Sequence, residues 1–341
     1  MNDIILGVDI SKATFDVALL FNNKVKTKKF NNNIKGFAEL KQWLQHKEID
    51  TAHVCMEATG SYGLKLAEYL NDNNFKVSIV NPAQIKGFAM SKLSRVKTDK
   101  ADSKLIANFC QAMKPDLWQA TPKHIQELQQ WVRRLDSLIA NKNLESNRLE
   151  GAINDVAINI STHIEFLDKQ IKEVEELICN HIKNHEDLND KHKLLDSIPG
   201  IGEKTIAVIL AFLTATDFNS AKEIVAFIGL NPKPRQSGTS VRGAGRISKT
   251  GDANLRKSFY MPAIVSLRHN PIVKDFAERL SRAGKSKMVI VIAAMRKLIH
   301  IIYGVLKNKT PFNVNNASFA LDNHKSWRCN RDLIDGLLSD N

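Results

Sequence analysis

Asp3-Ile4-Ile5-Leu6-Gly7-Val8-Asp9, followed by TFDVALL at residues 14–20 and KVKTKKF at 24–30, decides the architecture of the first third of the chain. The first segment is an apolar run, the second is rich in strand formers, and the third alternates Val25 and Thr27 with lysines. Together they predict three consecutive strands. The connections at 10–13 and 22–23 are short enough for an antiparallel meander. Working outward, the pattern predicts a helix over 34–46, a strand over 52–57, a helix over 62–71, a strand over 76–80 stopped by Asn81-Pro82, and a helix from Ala83 onward. The order βββαβαβα makes a mixed sheet with helices on its faces.

That order is the one found in ribonuclease-H-like folds, although strand order assigns no function. From about residue 124 to 192 the chain becomes long, polar and helix-favouring without a proline. Apolar positions recur at Ile160, His163/Ile164, Leu167, Ile171, Val174 and Leu177/Ile178, the spacing of a helical seam. This predicts a coiled-coil arm, either a spacer or an oligomerisation element. The chain therefore divides into a sheet domain (1–115), a helical linker (116–192), a mostly helical basic block (193–310) and a peripheral polar tail (311–341).

The 341 residues carry 49 Lys+Arg against 36 Asp+Glu, a net charge of +13, and are 43% hydrophobic. That apolar content excludes a chain disordered throughout. The longest unbroken apolar run, residues 288–295, falls well short of the ~18–20 residues that span a bilayer, and Met1-Asn2-Asp3 lacks a basic signal-peptide start. Cys55, Cys110, Cys179 and Cys329 have no metal-site or disulfide-framework spacing. An unexported, cytoplasmic protein without a membrane role, with a polyanionic partner, is the expectation.

Asp9 ends the first apolar strand and Glu57 ends the fourth, where a carboxylate is costly unless a cation or a dense hydrogen-bond set compensates it. The first and fourth strands are neighbours in a ribonuclease-H-like sheet, so the two side chains can converge. Asp99 and Asp102 in Lys97-Thr98-Asp99-Lys100-Ala101-Asp102 are spaced i, i+3 at the start of a helix and share one face. Four such carboxylates suit a pair of Mg²⁺ ions acting on a phosphodiester. Read singly, Asp99 and Asp102 are equally well helix N-terminal residues favoured by the macrodipole. The lysines and arginine at 86, 92, 95, 97, 100 and 104 surround them with positive charge, either a phosphate-attracting surface or a solvated face.

Further on, Ser197-Ile198-Pro199-Gly200-Ile201-Gly202 between two apolar helix patterns has the form of a helix-hairpin-helix, whose turn offers backbone N–H groups to a phosphate. An ordinary αα-hairpin can use the same residues. Residues 231–257 then hold seven Lys/Arg and one acid. Ser237, between Gln236 and Gly238, is a candidate nucleophile there; Ser240 and Ser248 compete with it, and no histidine is nearby to act as base.

Taken in order, Gly7-Val8-Asp9-Ile10-Ser11-Lys12, Glu57-Ala58-Thr59-Gly60, the 97–102 segment, Ile198–Gly202, Gln236-Ser237-Gly238 and Gly245-Arg246-Ile247-Ser248-Lys249 resemble the DEDD-type insertion-sequence transposases, the family of the Piv invertase and the bridge-RNA-guided recombinases. The resemblance covers about residues 3–110 and 194–308. It implies a RuvC-like domain whose Asp9, Glu57, Asp99 and Asp102 bind Mg²⁺, two ions to a site, joined by a coiled coil to a transposase domain. It implies Ser237 as the nucleophile that forms a 5′-phosphoserine link, a structured bridge RNA pairing with donor and target DNA, and a dimer or tetramer sharing its active sites. Nucleic-acid contacts are then expected from Lys92, Arg95, Lys97 and Lys100, from Gly200, Gly202 and Lys204, and from Arg235, Arg242, Arg246, Lys249 and Arg256. Asp252 departs from the family, where Asn is frequent. Two rivals stand beside this reading: a RuvC-like nuclease using metal-activated water, and a non-enzymatic nucleic-acid binder.

Overall fold

The computed structural model describes residues 4–22, 24–58, 60, 62–92, 99–237 and 241–314. The chain forms two compact units, Met1–Ala120 and Thr121–Asn341.

In the first unit, β1 (Ile5–Ile10), β2 (Thr14–Phe21) and β3 (Lys24–Asn31) form the expected meander, and α1 (Ile34–Gln45), β4 (His53–Glu57), α2 (Leu64–Asp72), β5 (Lys76–Val80), α3 (Pro82–Ser91) and α4 (Asp99–Met113) follow. The sheet order is β3-β2-β1-β4-β5, with β1 antiparallel to β2 and parallel to β4. Helix starts are set locally: Asn33 accepts from the Gly36 amide, and Asn81 accepts from the Ala83 amide with Pro82 behind it.

Strand alternation gives the sheet two separate cores. One face sends Leu6, Val8, Phe15, Val17, Leu19, Val54 and Met56 into a cluster with Leu40 and Leu44 of α1 and Leu66 and Leu70 of α2. The other sends Ile5, Ala18, Leu20, Cys55 and Val80 against Ile106, Ala107, Phe109 and Cys110 of α4. Both faces being covered is why β1 and β4 read as nearly continuous apolar runs.

The second unit begins with the predicted helical arm, α5 (Lys123–Leu149) and α6 (Asn154–Asn184). Its seam is narrower than expected. Leu167, Ile171, Val174 and Ile178 are buried, whereas Leu177 is exposed and Ile160 and Ile164 are only partly covered. The arm's seam residues belong to the same core cluster as α7 (Glu186–Asp196), α8 (Glu203–Val208, continuing as a π-helical turn over Ile209–Leu213), α9 (Ala221–Ile228), α10 (Ala253–Ser258), α11 (Tyr260–His269), α12 (Pro271–Arg282) and α13 (Lys287–Asn308).

One element was not expected. β6 (Pro232–Ser237) and β7 (Val241–Ile247) pair as an antiparallel ribbon with a register shift between Lys233 and Arg235. Pro232, Pro234, Gly243 and Gly245 argue against strands in a larger sheet, but a two-stranded ribbon has two edges that tolerate them. Among the described residues, α13 is the helix long and apolar enough to cross a membrane, with a mean hydropathy of 1.9. Arg296 and Lys297 interrupt its sequence and hide that length from a count of unbroken runs. One of its faces, with Ala294, Leu298, Ile301 and Val305, lies in the unit's core.

Candidate active site

Three carboxylates stand in a row across the first sheet. Asp9 faces Asp16 in the β1–β2 register, and Asp16 faces Lys29 in the β2–β3 register. On the other side Glu57 lies one step beyond the Val8–Met56 pair, directly beside Asp9 on β4. Asp9 and Glu57 are half-buried and Asp16 is 6% exposed. Lys29 Nζ reaches Asp16 at 3.3 Å. Like charges directly opposite each other on neighbouring strands destabilise a sheet. Asp16 was missed in the sequence, although it interrupts an apolar strand just as Asp9 does.

Helix α4 lies on the same face. A Cβ on Gly7 would sit 2.2 Å from the Ser103 carbonyl oxygen and 2.3 Å from the Ala107 nitrogen, so the helix backbone rests directly on β1 there. Further along α4, Ile106, Ala107, Phe109 and Cys110 pack with Ile5, Leu20 and Cys55. The helix thus runs against β1, and its first turn is carried toward the strand end that bears Asp9. Asp99 opens α4 and Asp102, half-buried, follows within that turn. The side chains of Asp99 and Lys100, and all of Arg95 and Lys97, lie outside the described residues.

Oxygen donors of this kind, half-buried at converging backbone ends, suit a hard divalent ion such as Mg²⁺. Among the described residues no group of three or more His, Cys, Asp or Glu is drawn close enough to hold a metal. Nearby, Lys92 extends its ammonium over the Phe88 ring at 5.6 Å.

In the second unit, the α7–α8 turn has Gly200 at φ +98°. A Cβ there would meet Ser266 Oγ at 2.2 Å, and Ser266 and Asn270 both donate to the Pro199 carbonyl. Gly200 therefore seats the turn on α11, while Gly202 opens onto free space. Lys204 is paired with Glu175 of α6 at 2.8 Å.

Ser237 is the last residue of β6 and faces Val241 in the ribbon register. Gln236 faces Arg242, Arg235 faces Gly243 and Lys233 faces Arg246, so arginines flank the serine within a few register steps. Residues 238–240, including Ser240, lie outside the described residues. Ser248 follows the ribbon, its amide donating to the Asn231 carbonyl. The next loop is held on α9. Lys249 N–H donates to the Gly229 carbonyl, a Cβ on Gly251 would lie 2.2 Å from the Phe227 carbonyl oxygen, and Arg256 Nη1 donates to the Ile228 carbonyl at 2.9 Å. Arg256 thus spends a donor on the scaffold. Asp252 caps α10 by accepting from the Asn254 and Leu255 amides, a task that Asn performs as well.

Residues 6–158 match the DEDD transposase family of IS110 type, and residues 192–278 match the transposase IS116/IS110/IS902 family. The chain is 35% identical over 317 residues to the pilin gene-inverting protein of Moraxella bovis, covering 92% of this chain and 98% of that one.

This chain belongs to the IS110-type DEDD transposase family.

The transposase is also 35% identical over 317 residues to the pilin gene-inverting protein of Moraxella lacunata, with the same coverage. It is 26% identical over 166 residues to the insertion element IS900 uncharacterized 42 kDa protein of Mycobacterium paratuberculosis, spanning 46% of this chain and 39% of that one. Among solved structures, T. thermophilus RuvC in complex with a Holliday junction substrate matches at 12% identity over 33% of this chain and 96% of RuvC, with a TM-score of 0.26. Membership makes the protein a transposase, an enzyme of DNA recombination. The family's four-carboxylate signature also implies a divalent metal.

Proposed function

We propose that this transposase cuts and rejoins DNA through a 5′-phosphoserine intermediate formed by Ser237, at a Mg²⁺ site made of Asp9, Glu57, Asp99 and Asp102. The observation that carries the metal half is the side-by-side placement of Asp9 and Glu57 at the strand ends toward which Gly7 admits the first turn of α4. Bound there, two Mg²⁺ ions would supply Lewis-acid stabilisation of the negative charge that grows on the phosphodiester oxygens. Asp16, already matched by Lys29, orients the row without joining it.

Ser237 Oγ attacks the scissile phosphorus, the Oγ–P bond forms, the P–O3′ bond breaks, and the serine proton ends on the released 3′ oxygen. Arg235 and Arg242, placed within two register steps of Ser237, offer cations to the phosphate as its charge redistributes. Rejoining is the reverse attack by the 3′-hydroxyl of a new partner strand, so the bond energy is conserved and no external cofactor is consumed. Following the family resemblance, a structured bridge RNA selects donor and target DNA, and a dimer or tetramer assembles the sites. The domain division at 115/116, 192/193 and 310/311 and the hairpin's phosphate contact belong to the same proposal.

The test is a denaturing gel of the reaction with end-labelled DNA. Wild-type protein is expected to give a protein–DNA adduct that retains a 3′-end label, since the serine holds the 5′ phosphate, and Ser237→Ala is expected to abolish it while retaining DNA binding. Asp9→Asn is expected to abolish it as well. An adduct that survives Ser237→Ala overturns the proposal, and free ends without adduct point to hydrolysis by water.

A further inference from the structure

The helix that closes the second unit carries a feature with no part in the serine chemistry. Arg296, His300, Tyr303 and Lys307 recur at spacings of four, three and four on α13, so they form one stripe, opposite the face that places Ala294, Leu298, Ile301 and Val305 in the core. Lys297 borders the stripe. At 1.5 Å per residue it runs for about 16 Å. Arg296 and Lys297 are half-buried, and burial lowers the pKa of each; for Lys297, Arg279 of α12 adds to the effect. The pKa of His300 is lowered to about 4, first by burial and then by the positive charges of Arg296, Lys297 and Lys222 of α9. Three helices thus bring five cationic or protonatable groups into one field.

Beyond His300 the stripe runs into a groove of about 990 Å³. Its floor includes Leu194, Leu213, Phe218 and Ile302, and Tyr303 stands at its side with its hydroxyl donating to the Asn219 carbonyl at 2.6 Å. Lys191, Lys193, Lys307 and Lys309 rim it together with Asp187, Asp190 and Asp217. Of the aspartates, Asp187 already meets His124 at 3.2 Å and Asp190 meets Lys193 at 3.1 Å. Lys307 Nζ lies over the Tyr303 ring, 5.4 Å from its centre, so a cation and an aromatic face stand together at the groove.

We propose that this stripe and groove form a binding track for a single-stranded nucleic acid, with phosphates along Lys222, Arg296, Lys297 and Lys307 and an unstacked base entering the groove beside Tyr303. The combination selects the ligand. A row of cations attracts any polyanion, but a groove with an apolar floor and an aromatic wall beside that row rewards a ligand that carries flat apolar faces between its charges. A duplex keeps its bases stacked inside and would leave the groove unfilled. The volume lies in the range of pockets that enclose small organic groups, ample for a base. The inference rests on the nucleic-acid reading above and adds a place where an unpaired strand is held.

The test is fluorescence anisotropy of the full-length protein with a fluorescein-labelled 12-nucleotide RNA and the DNA of the same sequence, in EDTA, over a salt series. In EDTA strand chemistry is off, so the assay reads binding alone, and Ser237→Ala is expected to bind as wild type does. Lys222→Gln, Lys297→Gln and Lys307→Gln combined are expected to weaken binding by at least ten-fold and to flatten the log–log salt slope by about 2, near 0.7 for each phosphate no longer neutralised. Tyr303→Leu is expected to weaken binding about ten-fold with the slope unchanged, because it removes stacking rather than charge. Tyr303→Phe, which keeps the ring, is expected to retain affinity and shows whether Tyr303→Leu acted through misfolding. In NMR the His300 titration is expected to move upward on saturation with the oligonucleotide, since phosphate offsets the cations beside it. A stronger effect in the RNA or the DNA arm names the strand held. Unchanged affinity and slope in the lysine variants with both probes overturns the track and leaves the serine reading standing. A blunt-ended duplex of the same 12-nucleotide sequence is added as an unlabelled competitor, and equal competition by it overturns the single-strand assignment.

Discussion

Replacing Gly7 by alanine isolates the step on which the carboxylate site depends. The added methyl would stand 2.2 Å from the Ser103 carbonyl oxygen and 2.3 Å from the Ala107 nitrogen, both backbone atoms. Real Cβ contacts essentially never fall below 3.0 Å, so helix α4 must retreat by about 0.8 Å or more. It cannot do so freely, because Ile106, Ala107, Phe109 and Cys110 are each no more than 4% exposed in the core beneath it. Overpacking of this kind costs about 1–3 kcal/mol. With a urea slope of about 2 kcal/mol per molar, the unfolding midpoint of the first unit is expected to fall by roughly 0.5–1.5 M. The larger effect is on catalysis. In the proposed site, a retreat of the α4 start near 1 Å would misplace its carboxylates relative to Asp9 and Glu57, and misplacement on that scale costs about 100-fold in rate. Gly87→Ala in α3 is the control, since a Cβ there meets nothing within 4 Å. Its midpoint is expected to hold or rise by a few tenths molar. Urea titration followed by circular dichroism, with Mg²⁺-dependent strand cleavage measured well below the midpoint, separates the two effects. A Gly7→Ala protein that unfolds early yet cleaves at the wild-type rate refutes the claim that α4 positions the site, and one unchanged in both refutes the close contact.

Asp252→Asn is expected to leave stability unchanged, because either side chain caps α10, whereas Asp252→Ala is expected to cost about 1 kcal/mol in chemical denaturation. The pKa of Asp136 is raised by burial, with Lys257 opposing the shift. Its folded form therefore holds the proton more tightly than the unfolded chain, and stability from this group is lost as pH rises from the unfolded value through the folded one. Asp136→Asn is accordingly expected to raise the melting temperature at pH 7 and to lose that advantage below about pH 3.8, as calorimetry across pH would register. The Cys55 thiol is pushed well above its ordinary range, first by its hydrogen bond with Cys110 and then by burial. In thiol labelling of the native protein, Cys179, which is half-buried, is expected to react ahead of Cys55 and Cys110, whose labelling should track unfolding of the first unit; rapid modification of Cys55 would contradict its packing under α4.

Much of the first unit was legible because its signals are local. The apolar run ending at Asp9, the alternation in β3 and the Asn-Pro stop after β5 each depend on a few adjacent residues. Asp9 and Glu57 stood out because a carboxylate at the end of a buried strand needs an answer. Asp16 carries the same signal, but in TFDVALL it alternates with apolar residues, so a half-exposed strand accounts for it equally well. Only the cover of α4 over that face makes it buried. The ribbon bearing Ser237 was unreadable for the opposite reason. Its prolines and glycines are correct for a strand with a free edge and wrong for one inside a sheet, and sequence does not say which applies. The cations of α13 were hidden because Lys222 acts on His300 from 78 residues away, through packing of α9 on α13.

The spacing in Gly7-Val8-Asp9 can now be given a physical meaning. In a strand, residues two apart share a face, so Gly7 and Asp9 both look toward α4. Glycine at the first position lets the helix backbone descend onto the strand, and the helix then places its first turn over the second position. A larger residue at 7 would hold the helix off and deny the half-buried Asp9 and Glu57 the ion they would share with Asp102. The same arrangement places the positive end of the α4 dipole toward Asp9, which eases the acids before any ion arrives. On the proposed site, Gly7 and Asp9 act as one device: the glycine sets the height of α4, and that height would decide whether Asp102 can join a shared ion. The partial retreat produced by alanine should consequently lower Mg²⁺ affinity and cleavage together, while more Mg²⁺ restores part of the rate; a loss of rate that no concentration of Mg²⁺ relieves would place the defect in strand chemistry rather than in the height of the helix.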